Sequence, residues 1–233
     1  MSGMWEDGTP RLSAKALAQL AAERLAELRA DGEELRPVVS STRKLAVHFW
    51  GSAWMRHLAA CEARGLCLAP GRTLLRHGCV LDLRIAPGSI KALVSAEELY
   101  EVELHVAPVT DERLSELRTA CCGHIDSLVA LMEGKVDAAV LARLCEPEIG
   151  LLPSPSDWRM NCSCPDWSEP CVHAAAAIYA AGVLIDADPQ LLFTLRSLEP
   201  EDLLKSASAP VVEEGNFDTA ALGKMFGIDI DAL

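Results

Sequence analysis

Cys162, Cys164, Cys171 and His173 stand in a C-x-C-x6-C-x-H arrangement, a donor set from which Zn²⁺ builds tetrahedral structural sites. The spacing has a mechanical reading. Residues two apart in a strand point to the same face, so Cys162 and Cys164 can turn both sulfurs toward one ion while Ser163 faces away. Residues two apart in a helix diverge by about 200°, so Cys171 and His173 share an ion only if Cys171 lies at or before the first helical turn. Pro170 places that start, and Pro165–Pro170 gives the chain room to reverse. Four protein ligands close the site and leave no position for a water to be activated. The expected chemistry is therefore structural: one Zn²⁺ that folds its own segment, with no catalytic residues. Asp166 and the Asn161 amide are expected as hydrogen-bond partners of the ligands. Three thiolates and a neutral imidazole leave the centre with a single net negative charge, which does not attract phosphate.

The chain has nine cysteines. Met1–Pro10 has neither a basic nor an apolar leader pattern, so a cytoplasmic chain is expected, where thiols stay reduced and clustered cysteines serve metals. His57, Cys61, Cys67, His77 and Cys79 are also close in sequence, but their spacings match no standard finger. They are read as core or surface residues, as is His105. Of the adjacent pair Cys121 and Cys122, one is expected buried and one partly exposed. The longest apolar stretch, Val172–Ile185, holds 14 residues, short of the roughly 20 needed to span a bilayer. It reads as a core helix, and no membrane partner is expected.

The elements that position this cluster follow from periodicity. Ser13–Ala30 carries Leu17, Leu20, Ala21, Leu25 and Leu28 on one helical stripe, with Ser13 as cap and Gly32 after its end. Lys44–Ala60 reads as a second helix with Trp50 and Trp54 one turn apart. From Leu74 to Val109 the period changes to two, with turns at Arg76–Cys79, Ala86–Ser89 and Ala96–Leu99, which predicts an antiparallel meander. Asp111–Leu131 and Asp137–Leu144 read as helices, Trp158–Cys162 as a short strand, and Cys171 as the opening of the apolar helix. Pro189–Leu195 and Pro200–Lys205 are short helical patterns. The fold class expected is α+β, an antiparallel meander packed with helices plus a zinc knuckle and helix. The organisation reads as an N-terminal helix and extension over 1–43, an α+β domain over 44–150, the finger and following helices over 151–205, and a linker with an acidic tail over 206–233.

Half of the 233 residues are hydrophobic and 24% are charged, an ordinary globular balance that excludes a disordered or collagenous chain. The formal charge of −13 excludes a protein that coats nucleic acid over its whole surface. Between Arg36 and Lys91, however, nine Lys and Arg face only Glu62 and Asp82. Arg43, Lys44, Arg72 and Arg76 are the candidate nucleic-acid contacts there. Trp50 and Trp54 either stack on bases or pack as core; the arginines either meet phosphate or pair with acidic helices. In the tail, Phe217, Leu222, Met225, Phe226, Ile228 and Ile230 interleave with acids, the pattern of either a segment docking in a partner's groove or a frayed terminus.

The cysteine and histidine spacing resembles the SWIM zinc finger, and the likeness extends beyond the ligands. Asp157-Trp158-Arg159 precedes them, Pro165-Asp166-Trp167 fills the knuckle, and Asp188–Arg196 follows the helix, as in bacterial SWIM zinc finger family proteins. Upstream, Trp50–Trp54, Pro70-Gly71-Arg72 and Leu75–Leu83 with Pro87-Gly88 are similar to that family too, so the resemblance covers about Phe49–Arg196. It implies a noncatalytic zinc module serving DNA–protein or protein–protein interaction, often in company with helicase-like ATPases of the Swi/Snf type. Val172 stands where many relatives carry Lys or Arg between the last two ligands. The rival expectation is a structural or regulatory adaptor without nucleic-acid contact. Neither reading calls for a small-molecule substrate: nothing resembles a P-loop, a paired-carboxylate site or an oxyanion elbow.

Overall fold

A computed structural model describes residues 12–40, 44–122, 124–125, 127–146 and 149–204. The period-two segments are strands: β1 (Val80–Ala86), β2 (Ser89–Ser95) and β3 (Leu99–Val106) pair antiparallel in chain order. Gly88 closes the first turn at φ +68, a left-handed conformation open to glycine without a side-chain clash. In β3, Tyr100, Val102, Leu104 and Val106 are buried, the alternation of a sheet with one face on a core. The fourth strand, β4 (Trp158–Cys162), joins from far along the chain and lies antiparallel to β3, with Trp158 opposite Val106 and Cys162 opposite Val102. The class is α+β, with one four-stranded antiparallel sheet ordered β1-β2-β3-β4.

Eight α-helices are described: α1 (Ala14–Ala30), α2 (Phe49–Ala63), α3 (Ala69–Arg76), α4 (Asp111–Cys121), α5 (Leu128–Met132), α6 (Ala138–Leu144), α7 (Val172–Ala187) and α8 (Gln190–Leu195). The organising helix is α7. It meets all four strands as well as α2, α3 and α8, and it is apolar nearly all round, as a fully enclosed helix must be. Its small side chains, Ala174–Ala177, Ala180 and Ala181, are buried and let neighbours approach to backbone contact. The closest is Gly71 of α3, where an added Cβ would collide with the backbone of Ala175 and Ala176. Neither backbone can yield independently, so Gly71→Ala should destabilise the fold by about 3 kcal/mol, the upper range for overpacking. A denaturant melt with unchanged slope and a lower midpoint checks this.

Trp50 and Trp54 resolve to the core reading. Both are almost completely buried; the Trp50 Nε1–H donates to the Leu131 carbonyl at 2.9 Å and the Trp54 Nε1–H to the Ile178 carbonyl at 3.1 Å. Rings held this way are not available to stack on bases. Gly182 of α7 lies against the Trp54 indole, with no room for a side chain between them.

The structure departs from the sequence expectation at several helix ends, each for a local reason. α2 begins at Phe49 and not Lys44, because the Asp186 carboxylate of α7 accepts the Val47 and His48 backbone N–H groups at 3.0 and 2.7 Å and fixes the chain there. α3 occupies Ala69–Arg76, partly inside the region read as strand; Pro70 sits in its first turn, where a missing N–H costs nothing. The single helix expected over Asp111–Leu131 is two, the second started by Ser127, whose side chain accepts the Ala130 N–H at 3.1 Å. Pro200–Leu203 is a 3₁₀ turn and not an α-helix. The Ser206–Val212 linker, the acidic tail and Arg43 lie outside the described residues. Among the described residues no helix is long and apolar enough to cross a membrane.

Candidate metal centre

Each pair of ligands is delivered by a different element. The β3–β4 ladder aligns Cys162, and Ser163 ties down the chain beyond it: its N–H donates to the Glu101 carbonyl at 3.0 Å, and its hydroxyl accepts the Glu101 N–H at 3.0 Å. Cys162 and Cys164 therefore leave the sheet edge together, on either side of an anchored Ser163. Cys171 is the N-cap of α7 and stands outside the helical conformation, with φ −69 and ψ 168. That is the condition under which Cys171 and His173 converge despite being two apart.

The four donor atoms lie within 4.8 Å of one another. His173 turns Nδ1 toward the sulfurs, 3.8 Å from Cys162 Sγ, close to the edge of about 3.6 Å that Zn–S and Zn–N bond lengths imply for a tetrahedral site. His173 is buried, and its Nε2 has no hydrogen-bond partner among the described residues. With its proton on the buried Nε2, a neutral His173 presents the Nδ1 lone pair to the space between the three sulfurs, which is the form that ligates a metal. The Tyr100 ring lies over the imidazole, 4.1 Å between centroids, and fixes its plane. The residues present fit a closed Cys₃His zinc site, and no other cluster of potential metal ligands occurs among the described residues.

Among the thiols themselves, Cys171 ionises most readily. Hydrogen bonds from the Cys162 thiol, from His173 and from the Ala174 N–H lower its pKa from the ordinary 9.0 to about 4; the Ala174 N–H lies 3.4 Å from the sulfur. Cys162, which donates to Cys171 and is partly buried, is pushed up, as is Cys164 by burial. Binding of a metal requires all three thiols as thiolates and so releases protons.

The expected helpers are only partly in place. The Asp166 carbonyl accepts the Cys164 thiol at 3.8 Å, but its carboxylate is spent on the Ser168 N–H at 3.0 Å and the Ser168 hydroxyl at 2.6 Å. The groups that do hold the ligands, Tyr100 and the Ala174 N–H, were not singled out by the sequence. Tyr100 was legible as an inward position of β3; its contact with a residue 73 positions away was not.

The candidate phosphate contacts have other neighbours. The Arg72 guanidinium donates to the Tyr179 hydroxyl at 2.6 Å and to Glu62 at 3.1 Å, and lies over the Tyr179 ring. Arg84 pairs with Asp82 and Lys91 with Glu103. The arginines of this segment therefore follow the pairing alternative at the positions where partners are seen. His57 and Cys61 lie side by side at 3.7 Å, with the His57 Nε2–H reaching the Pro153 carbonyl at 2.9 Å; burial pushes the His57 pKa below 6.5, as suits a neutral core histidine. Cys121 is buried and Cys122 exposed, and His105 is a surface residue beside Glu103.

Comparison with known proteins agrees with this geometry. The profile of the SWIM zinc finger family matches residues 161–182, which span the four ligands and most of α7. A SWIM-type finger is therefore present, and its closed ligand set makes it a noncatalytic module. The chain is also similar to the uncharacterized protein Rv2102 of Mycobacterium tuberculosis, with 27% identity over 174 residues, 72% of this chain. The aligned segment spans 62% of that relative's length. No solved structure matches.

Proposed function

We propose that this chain is a cytoplasmic, noncatalytic accessory protein in which one structural Zn²⁺ holds a SWIM finger in shape for binding a protein partner, a helicase-like ATPase of the Swi/Snf type. The observation that carries this reading is the closed Cys₃His set at the junction of β4 and α7. The metal supplies a crosslink between a strand and a helix. Everything else at the site is the work of this chain's own residues: Tyr100 orients the imidazole, Ser163 anchors the knuckle, and the Ala174 N–H stabilises the first thiolate.

A protein-facing role is favoured over direct DNA contact by three features. Trp50 and Trp54 are core, Arg72 is engaged by Glu62 and Tyr179, and the chain carries a charge of −13. The adaptor reading, in which no nucleic acid is touched at all, rests on the same features. The test is a titration of the full chain with labelled duplex DNA at two salt concentrations, alongside cosedimentation with a purified Swi/Snf-type ATPase. The expected result is a stable complex with the ATPase and no salt-dependent binding to DNA alone. Affinity for DNA that falls steeply with salt, the signature of phosphate contacts, would overturn the protein-facing reading; failure to form the complex would overturn the partner.

A further inference from the structure

The largest exposed apolar side chain on the described surface sits in the finger itself. Trp167, between Cys164 and Cys171, is 96% exposed, whereas Trp50, Trp54 and Trp158 are all buried. Indole is the side chain most enriched at the energetic centres of interfaces, and it is costly to leave in water. The loop that carries it is held in shape. Asp166 clasps both the N–H and the hydroxyl of Ser168. The ring is therefore presented from a braced turn whose ends are the metal ligands.

The charge around this loop has one dominant sign. Asp166 and Glu169 flank the indole in sequence. Glu101 is bonded through its backbone to Ser163 at the start of the knuckle. Glu97 and Glu98 stand in the β2–β3 turn, just before Tyr100, the residue stacked on His173. The Cys₃His centre adds a net negative charge when it holds Zn²⁺. Arg24 donates to the Ser95 hydroxyl and to the Ala96 and Glu97 carbonyls, and Arg159 donates to the Trp158 carbonyl. A surface of this kind repels phosphate and favours a cation, which gains both the indole face and the carboxylates. In the same knuckle, Glu169 and Pro170 wall a cleft of about 230 Å³ whose other sides are Leu66, Pro155, Trp158, Arg159 and Met160, room for an apolar side chain.

We propose that Trp167, Asp166 and Glu169 form the docking surface of the finger, and that its occupant is a basic peptide segment of a protein partner, an Arg or Lys laid on the indole with an apolar neighbour in the cleft. The inference deepens the protein-facing reading above and depends on it. The experiment is a selection of random displayed peptides on the zinc-loaded full chain, followed by affinity measurement of the enriched sequences against wild type, Trp167→Ala and Glu169→Lys. Being exposed, both substitutions should leave zinc content and melting temperature unchanged.

The expected result is a consensus with Arg or Lys beside an apolar residue, with affinity reduced about tenfold or more in each variant, as loss of a desolvated cation–π contact with supporting charge implies. Peptides without a cation, binding equal in wild type and Trp167→Ala, or no enrichment at all would each overturn the proposal. So would single-stranded DNA that binds wild type and is lost in Trp167→Ala, because the indole would then be a stacking platform for bases. Failure of the protein-facing reading is seen separately, as salt-dependent DNA binding or no complex with the ATPase in the titration above. A chain that purifies without zinc sinks the metal reading whatever peptides it selects; a zinc-loaded chain that selects no cationic consensus sinks the docking proposal alone.

Discussion

Replacing Cys171 with serine is expected to reduce bound zinc from one ion per chain to a small fraction and to lower the melting temperature by about 10 °C or more. The size of the effect follows from the position. Structural zinc contributes about 10–16 kcal/mol of apparent binding energy in isolated fingers at neutral pH, and here it joins β4 to α7, the helix that touches every strand of the sheet. Loss of even a third of that is several kcal/mol, and each kcal/mol is worth roughly 2–4 °C in a domain of this size. Serine keeps a side-chain oxygen able to cap α7, so the capping contact to Ala174 is largely preserved and the loss reports on the metal. Cys122→Ser, at an exposed cysteine outside the cluster, is the control and should change neither zinc content nor melting.

The second large effect is expected at Asp157. Arg196 is entirely buried at the end of α8, and its Nη1 is 3.1 Å from Asp157 Oδ2, while Nε and Nη2 have no partner among the described residues. Arg113 reaches the same oxygen at 3.5 Å. Asp157 also accepts the Ser154 N–H at 3.0 Å and so shapes the turn that leads into β4. Burial already lowers the Arg196 pKa. Removing the carboxylate leaves a cation in the interior facing a second cation, a loss of about 3–5 kcal/mol. Asp157→Ala should therefore lower the denaturant midpoint more than Gly71→Ala. The double variant Asp157→Ala with Arg196→Met should recover part of the stability, because the fully buried cation is gone and only Arg113, at the longer distance of 3.5 Å, still lacks its carboxylate. If the double variant were as unstable as Asp157→Ala alone, the loss would come from the Ser154 turn or from Arg113 and not from the buried Arg196.

These two sites differ in how they can be read from the chain. The zinc ligands fall within 12 residues of sequence, and the conformations they need, a strand for Cys162 and a pre-helical cap for Cys171, are local consequences of alternation and of Pro170. The meander was legible for the same reason: Val102, Leu104 and Val106 alternate inward, and Gly88 marks the turn. The Asp157–Arg196 pair spans 39 residues, and no periodicity announces which buried arginine meets which acid. The α2 start is similar, because the group that sets it, Asp186, comes from a helix more than a hundred residues away. α3 escaped because its second half overlaps the region read as period two from Leu74; in the fold Pro70 serves its first turn and Gly71 admits the backbone of α7. Local pattern thus located the site and most elements; the long-range polar contacts that fix helix ends and enclose charge had to be seen in three dimensions.

The binding surface offers a similar contrast. Trp50, Trp54 and Trp167 are the same residue type, and the helical spacing of the first two suggested either bases or core. Their indole N–H groups, satisfied by the Leu131 and Ile178 carbonyls, decide for core. Trp167 has no such burial. The cationic segment between Arg36 and Lys91 likewise loses its simple meaning once Arg72 is seen bridging Glu62 and Tyr179 across α2, α3 and α7. What remains outward on the finger is the Trp167 indole, with Asp166 and Glu169 flanking it in sequence.

The central claim, that Cys162, Cys164, Cys171 and His173 together hold one zinc ion, is tested most directly by X-ray absorption at the zinc edge on the purified full chain. The account predicts a single four-coordinate zinc per molecule with three sulfur neighbours at about 2.3 Å and one nitrogen at about 2.0 Å. A chain that carries far less than one zinc, or a metal surrounded by oxygen donors, would contradict it.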